Sequence, residues 1–340
     1  EIVYDDTRTD EGVANDYTCV EAVVPGIDCS SNPTIVLSTD FNTGDDLILR
    51  GGGTCTLTID QDERVGQANA QIALNSLTLN ESTTLTHAVA GVTADHHNEI
   101  DLVITGALTI DSGSAIDVDG KGYLGAARGA NGFDYGRTVG NTQTGGSYRN
   151  SGGSHGGRGG RYISYDVAEA YDSIVNPILP GSGGGGGTGG DGGGVVIITA
   201  ASAVINGDIS ADGGLISSWS GCSAGGSVNL TVSGALSGSG AISSDGGSGD
   251  CYAGGGGRVA LTYGSSSHSG TVSAYGGNST GAYDENEGAA GTVYKYDSDD
   301  SYGDLYINNN GNLEAYYTTS LLTTIPTSDQ LSDSGYAFSS

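Results

Sequence analysis

GGVVIITAASAVINGDISADGG, residues 193 to 214, decides the fold, because the chain writes the same phrase four times with small edits. The second copy is GGSVNLTVSGALSGSGAISSDGG from Gly225, the third GGRVALTYGSSSHSGTVSAYGG from Gly256, and the fourth AGTVYKYDSDDSYGDLYINNNG from Ala290. Each has a small pair, a β-prone run, a Gly-bearing turn, a second short run, and then Gly-Gly or its equivalent. The equivalent residues Val196, Val228, Val259 and Val293 are 32, 31 and 34 apart; Ile209, Ile242, Val272 and Leu305 are 33, 30 and 33 apart. A period of this size with no helical pattern inside it is the signature of a repeat architecture.

Alternation such as Val228-Asn229-Leu230-Thr231-Val232 turns one side of each run inward. One copy cannot bury that side alone, so copies must stack and share a core. The expected fold is all-β: a right-handed parallel β-helix, or β-solenoid, with coils of about 30 residues and Gly at the corners. An antiparallel sandwich is the alternative, disfavoured because sandwiches seldom keep so regular a register over four units.

Outward from the repeats, 195–312 reads as the main solenoid and 71–124 as its first coils, with Leu77, Leu79, Leu85, Val103, Leu108, Ile110, Ile116 and Val118 in phase. SAIDVDGKG from Ser114 matches GDISADGG from Gly207. Between them, 125–194 is an insertion rich in Gly and Tyr. A plain linker would be Gly and Ser without tyrosines; this stretch and its entry carry Tyr123, Tyr135, Tyr148, Tyr162, Tyr165 and Tyr171, spaced as anchors of a large loop. Its Gly runs read as flexible or, alternatively, as extended strands bonded to one another in a lateral layer. Ala168 to Ile174 reads as a short helical turn. Residues 1–70 are expected to cap the first coil, with Glu1, Ile2, Val3 and Tyr4 as a strand that reaches a neighbouring molecule. Residues 313–340 are expected to be a C-terminal cap or assembly tail.

Eleven basic against 40 acidic residues give a formal charge of −29, which excludes nucleic acid as a partner. No run approaches the roughly 18 apolar residues of a membrane helix. The chain has no Met and starts at Glu1, so a mature form after removal of a signal peptide, or a trimmed chain, is expected. Of five cysteines, none forms a CxxC pair. Cys222 and Cys251 occupy one place in successive repeats, so stacking brings them within disulfide reach and places the protein in an oxidising, extracellular compartment. Cys19 with Cys29 is the first choice for a second bridge and Cys29 with Cys55 the second.

GGSHGGRGG, PGSGGGGG, GGGVVIITA, SGSGAISSDGG, GGGGRVALTY, HSGTVSAYGG and GAAGTVYKYDS, in that order and after IDVDGKGYLG, resemble the glycine-rich β-solenoid segments of large secreted bacterial surface proteins. The likeness covers about 70 to 312. It implies a parallel β-helix outside the cell, within adhesin-like or structural proteins, and carries over no catalytic residues.

Polysaccharide-cleaving β-helices need carboxylates on adjacent coils with a Lys or Arg beside them. The four repeats offer Ser, Thr, Asn and Gly, with only Arg258 and Lys295 basic, so no enzyme is expected. His96 and His97 with Asp95 and Glu99 are weighed as metal ligands against a solvated turn, since adjacent histidines on a strand point opposite ways. No cofactor is required by the sequence, but the acidic turn with Asp297, Asp299, Asp300 and Asp304, and the pair Asp117 and Asp119, are candidate Ca²⁺ ligands against the reading of solvated turns. The expected role is a structural subunit of an extracellular filament or surface layer, partnered with itself through strand pairing. The alternative is an adhesin or carbohydrate-binding module that contacts surface glycans through Tyr148, His155, Tyr162 and Tyr165.

Overall fold

The computed structural model describes residues 26–37, 46–59, 72–91, 98–129, 131–214, 216, 220–280, 287–311 and 330–331. Glu1 to Tyr4, Cys19, Asp95, His96, His97 and the β-prone runs after 312 lie outside these residues.

The chain winds about seven turns of a parallel β-solenoid. The first turn supplies β1 (Ile27–Asp28) and β2 (Thr34–Leu37), the second β3 (Asp46–Arg50) and β4 (Gly53–Ile59). The third supplies β5 (Ile72–Leu74), β6 (Ser76–Leu79) and β7 (Thr83–His87), and the fourth β8 (Ile100–Ile110) and β9 (Ala115–Asp117). After the insertion come β10 (Val195–Ile205) with β11 (Asp208–Ser210), β12 (Ser227–Ser237) with β13 (Ile242–Ser243), and β14 (Arg258–Ser266) with β15 (Val272–Ser273). The chain then closes with β16 (Thr292–Asp297), β17 (Asp304–Tyr306) and β18 (Gln330–Leu331).

One sheet runs β1-β3-β6-β8-β10-β12-β14-β16-β17-β18, with β5 also on β8; the other runs β2-β4-β7-β9-β11-β13-β15. Residues 27 to 59, read from sequence as part of a cap, supply the first four strands of these sheets.

Register stacks like on like. Ile100, Val196, Val228, Val259 and Val293 form one file, and Leu102, Ile198, Leu230 and Leu261 another. On the facing sheet Cys55, Leu85, Ile116, Ile209, Ile242 and Val272 form the file that closes the core. Each such Leu or Ile taken from water contributes about 2 kcal/mol. Ile100 pairs with Val196 although 96 residues separate them, so the insertion leaves the ladder unbroken.

The fourth repeat departs from its expected phase. Val293 stacks on Val259, but Leu305 pairs antiparallel with Tyr294 and has no place over Val272. The loop between β16 and β17 doubles the chain back as a hairpin, and Leu305 packs outside the main core with Ile174, Ala260 and Tyr294. A spacing of 33 fits both outcomes; the acidic turn decides between them.

The insertion is a layer, without helix at 168–174. Its glycines bond to one another and to corner glycines of the coils: Gly192 N–H to Tyr123 O at 2.9 Å, Gly193 to Ala224 at 2.9 Å, Gly221 to Gly185 at 2.8 Å, Gly255 to Gly153 at 2.9 Å, and Gly157 to Gly256 at 2.8 Å. These buried backbones satisfy each other where no strand ladder exists. Side chains do not fit: a Cβ on Gly184 would overlap the carbonyl of Gly221.

Candidate functional site

Beneath the layer lies a buried polar network. His155, fully buried, donates Nδ1–H to the Gly225 carbonyl, 2.9 Å away, and meets Asp172 Oδ2 through Nε2 at 3.3 Å. Asp172 Oδ2 also accepts the N–H groups of Ile178 and Leu179, both at 2.9 Å, and the Ser227 hydroxyl at 3.2 Å. Burial works to raise the Asp172 carboxyl, but His155 and the N–H donors outweigh it and hold the group below its ordinary value. Arg258 donates to the Tyr171 carbonyl and to Thr292 Oγ1, both at 2.9 Å, and burial lowers its guanidinium to about 10. Tyr171 donates to Pro180 O at 2.5 Å, and burial pushes its phenol well up. This network pins the layer to β12 and β14. His155 therefore does not belong to an exposed binding loop as the sequence reading had it: its partner Asp172 comes back over it.

The surface of the layer carries a chain of tyrosines. Ring centroids run Tyr135 to Tyr148 at 4.5 Å, Tyr148 to Tyr165 at 5.3 Å, Tyr165 to Tyr162 at 5.6 Å, and Tyr162 to Tyr252 at 5.0 Å. Arg149 lies 5.3 Å from the Tyr148 ring and 5.2 Å from that of Tyr165, with its Nε donating to the Tyr148 hydroxyl at 3.1 Å. Arg161 fixes the turn beneath by donating to the carbonyls of Tyr165 at 3.1 Å and Ser164 at 3.0 Å. The structure brings together Tyr148, Tyr162 and Tyr165 with Arg149 on one surface, sets Tyr162 against the buried Tyr252, and buries Tyr123 and Tyr171 as well. Tyr252 follows Cys251 directly, the one sequence signal that ties it to the layer.

Beside this stripe opens a cleft of about 170 Å³ lined by Arg158, Arg161, Tyr165, Asp166, Glu169 and Glu287. Arg158 is ion-paired with Glu169. Tyr165 belongs to both stripe and cleft.

A second candidate is the end of the smaller sheet. Along it each strand offers alternate backbone groups to the next turn, as Ile209 N–H to Ala241 O at 2.9 Å and Ile242 N–H to Thr271 O at 2.8 Å. By the same alternation Val272 faces forward, where β16 and β17 lie only in the other sheet. Among the described residues no strand follows β15, and a groove of about 110 Å³ lies there, lined by Val272, Ala274, Val293, Lys295, Tyr306 and Asn308.

The acidic turn does not gather its carboxylates. Asp297 Oδ1 accepts the Asp299 N–H at 3.1 Å, and Asp304 Oδ2 the Tyr306 hydroxyl at 3.4 Å. Among the described residues no three His, Cys, Asp or Glu side chains are placed to hold a metal ion. A file of aspartates at one solenoid corner went unread in the sequence. The Asp212 N–H donates to Asp119 Oδ1 at 2.7 Å, Asp245 N–H to Asp212 Oδ1 at 2.6 Å, and Tyr275 N–H to Asp245 Oδ1 at 2.6 Å. Burial raises all three carboxyls, Asp212 to about 7 with its neighbours' charges adding to the effect.

Two disulfides staple the body. Cys222 and Cys251 are bonded, with Cα atoms 5.7 Å apart. Cys29 is bonded to Cys55 at a Cα separation of 5.2 Å, not to Cys19, because consecutive turns set those two side by side.

Neither a family model, nor a curated protein, nor a solved structure matches this chain. Its class rests on geometry: a disulfide-stapled parallel β-solenoid with a fused glycine layer. No described helix is long and apolar enough to cross a membrane.

Proposed function

We propose that the chain is a non-enzymatic extracellular structural protein, a subunit that joins its neighbours by strand pairing between solenoid ends. The observation that carries this reading is the forward edge of β15, which no strand follows among the described residues. The first strand of the same sheet, β2, has no strand before it among the described residues, and both run parallel. A second copy set head to tail would continue the ladder, and such a contact does not close on itself. The two disulfides support an oxidising location. The His155–Asp172 pair is buried under the layer, its side chains 0 % and 4 % exposed, which supports a structural role for it.

Negative-stain electron microscopy tests the reading. At −29 per chain, end-to-end contact needs screening, so long fibres are expected in Ca²⁺ or moderate salt, and Val272→Pro, which removes the forward N–H, should abolish them. Isolated rods of about 35 Å, the length of seven turns, in every condition would overturn it. The tyrosine stripe favours a second reading, a module that contacts glycans.

A further inference from the structure

We infer that the tyrosine stripe and the cleft beside it form one binding site for a neutral polysaccharide chain, with Tyr165 shared between them. This deepens the second reading above and is independent of how the solenoid ends pair.

The stripe is a rigid apolar platform with polar edges. Tyrosines give large contact area at little entropic cost, because two torsions fix each ring, and here Arg149, Arg161 and neighbouring rings already fix them. Tyr135, 39 % exposed, and the exposed Arg149 mark its open end. The C–H faces of pyranose rings suit such a platform, since they are apolar while their rims carry hydroxyls.

The cleft supplies the rim. Its guanidinium groups donate, its carboxylates accept, and a hydroxyl does either. Asp166, Glu169 and Glu287 outnumber Arg158 and Arg161, and the whole chain carries −29, so a polyanion such as a uronate polymer is repelled twice over. At about 170 Å³ the cleft is smaller than the roughly 300 Å³ of enclosed small-molecule pockets. It is open and continuous with the stripe, which suits a polymer touching several shallow subsites more than a free small molecule.

Affinity gel electrophoresis tests the site, with hydroxyethyl cellulose, galactomannan and dextran as neutral probes and polygalacturonate as the acidic one. Retardation of the intact chain by at least one neutral probe and not by polygalacturonate is expected. Tyr148→Ala with Tyr165→Ala should weaken it about tenfold, while the corresponding Phe pair retains it. Should the Ala pair fail to fold, Asp166→Lys, a change at an exposed side chain, should still weaken the neutral probe. No retardation by any neutral probe, stronger retardation by polygalacturonate, or unchanged binding in Asp166→Lys would overturn the proposal. Val272→Pro separates the two readings: it should lose fibres and keep glycan binding.

Discussion

In the two sheets, side chains do the packing: files such as Leu102, Ile198, Leu230 and Leu261 fill the space between strands, and the backbone follows a regular ladder. In the layer beside them backbone packs on backbone: Gly221 N–H donates to Gly185 O at 2.8 Å, Gly184 N–H to Gly190 O at 2.9 Å, and a Cβ on Gly184 would overlap the Gly221 carbonyl. The sheets gain from removing apolar area from water. The layer has little such area, so its order rests on hydrogen bonds made where water is excluded, and each lost bond leaves a buried group unsatisfied. The first region tolerates a change of apolar shape; the second, at its buried glycines, tolerates almost no added atom. The buried His155, Asp172 and Arg258 network is where the two meet.

Removing volume from one region and adding it to the other should break them in opposite ways. Ile116→Ala opens a cavity in the core file and should cost about 4 kcal/mol. Gly184→Ala should cost about 3 kcal/mol by overpacking, while Gly132→Ala, whose Cβ meets nothing within 4 Å, should be near neutral. Denaturant melts of the three variants measure this. If Gly184→Ala is as mild as Gly132→Ala, the layer is not close-packed and the contrast fails.

One disulfide lies in the first two turns and the other at the corner on which the layer rests, where Gly153 N–H donates to Cys222 O at 2.8 Å, and this sharpens the contrast. Cys29–Cys55 spans 26 residues and Cys222–Cys251 spans 29, so the loop-closure entropy of the two is nearly equal, and replacing either pair by Ser should cost about 3 kcal/mol. The site of damage should differ. Limited proteolysis should cut near the first two turns after loss of Cys29–Cys55, and within 125–194 after loss of Cys222–Cys251. Cleavage at the same place in both variants would show that solenoid and layer unfold as one unit.

Most of the solenoid was legible because its signal is local and repeated. The valine spacing fixes which residues stack, and the equivalence of Cys222 and Cys251 fixes their bond. Leu305 misled because a spacing of 33 cannot distinguish a strand in the next turn from a hairpin folded back on β16. Cys29 misled for the complementary reason: nearness in sequence to Cys19 competed with a register that only the fold supplies. In the surface site, the sequence shows that tyrosines are many but not which face they share. Tyr252 joins Tyr162 across 90 residues of chain, and His155 goes under the layer through Asp172.

The aspartate file at the solenoid corner gives the smallest effect and a test of how the turns carry charge. Asp119, Asp212 and Asp245 repeat one position on successive turns, each accepting the N–H of the next. Ser210, Ser243 and Ser273 hydroxyls stand against them, and Asp117 adds a further negative charge. Their carboxyls are raised in the folded chain, so the fold holds protons that the unfolded chain, near 4 for Asp, releases. The stability this supplies is complete below about pH 4 and is lost as pH rises through the folded value, about 7 for Asp212. Asp212→Asn keeps an oxygen for the Asp245 N–H and removes the central charge. Between pH 5 and pH 8 the intact chain should therefore lose about 2 kcal/mol more than Asp212→Asn does, read as a difference in denaturant midpoints. The general repulsion of a chain at −29 acts nearly equally on both, so it cancels. Equal losses would mean that water reaches the file and that the corner, unlike the sheets and the layer, is open.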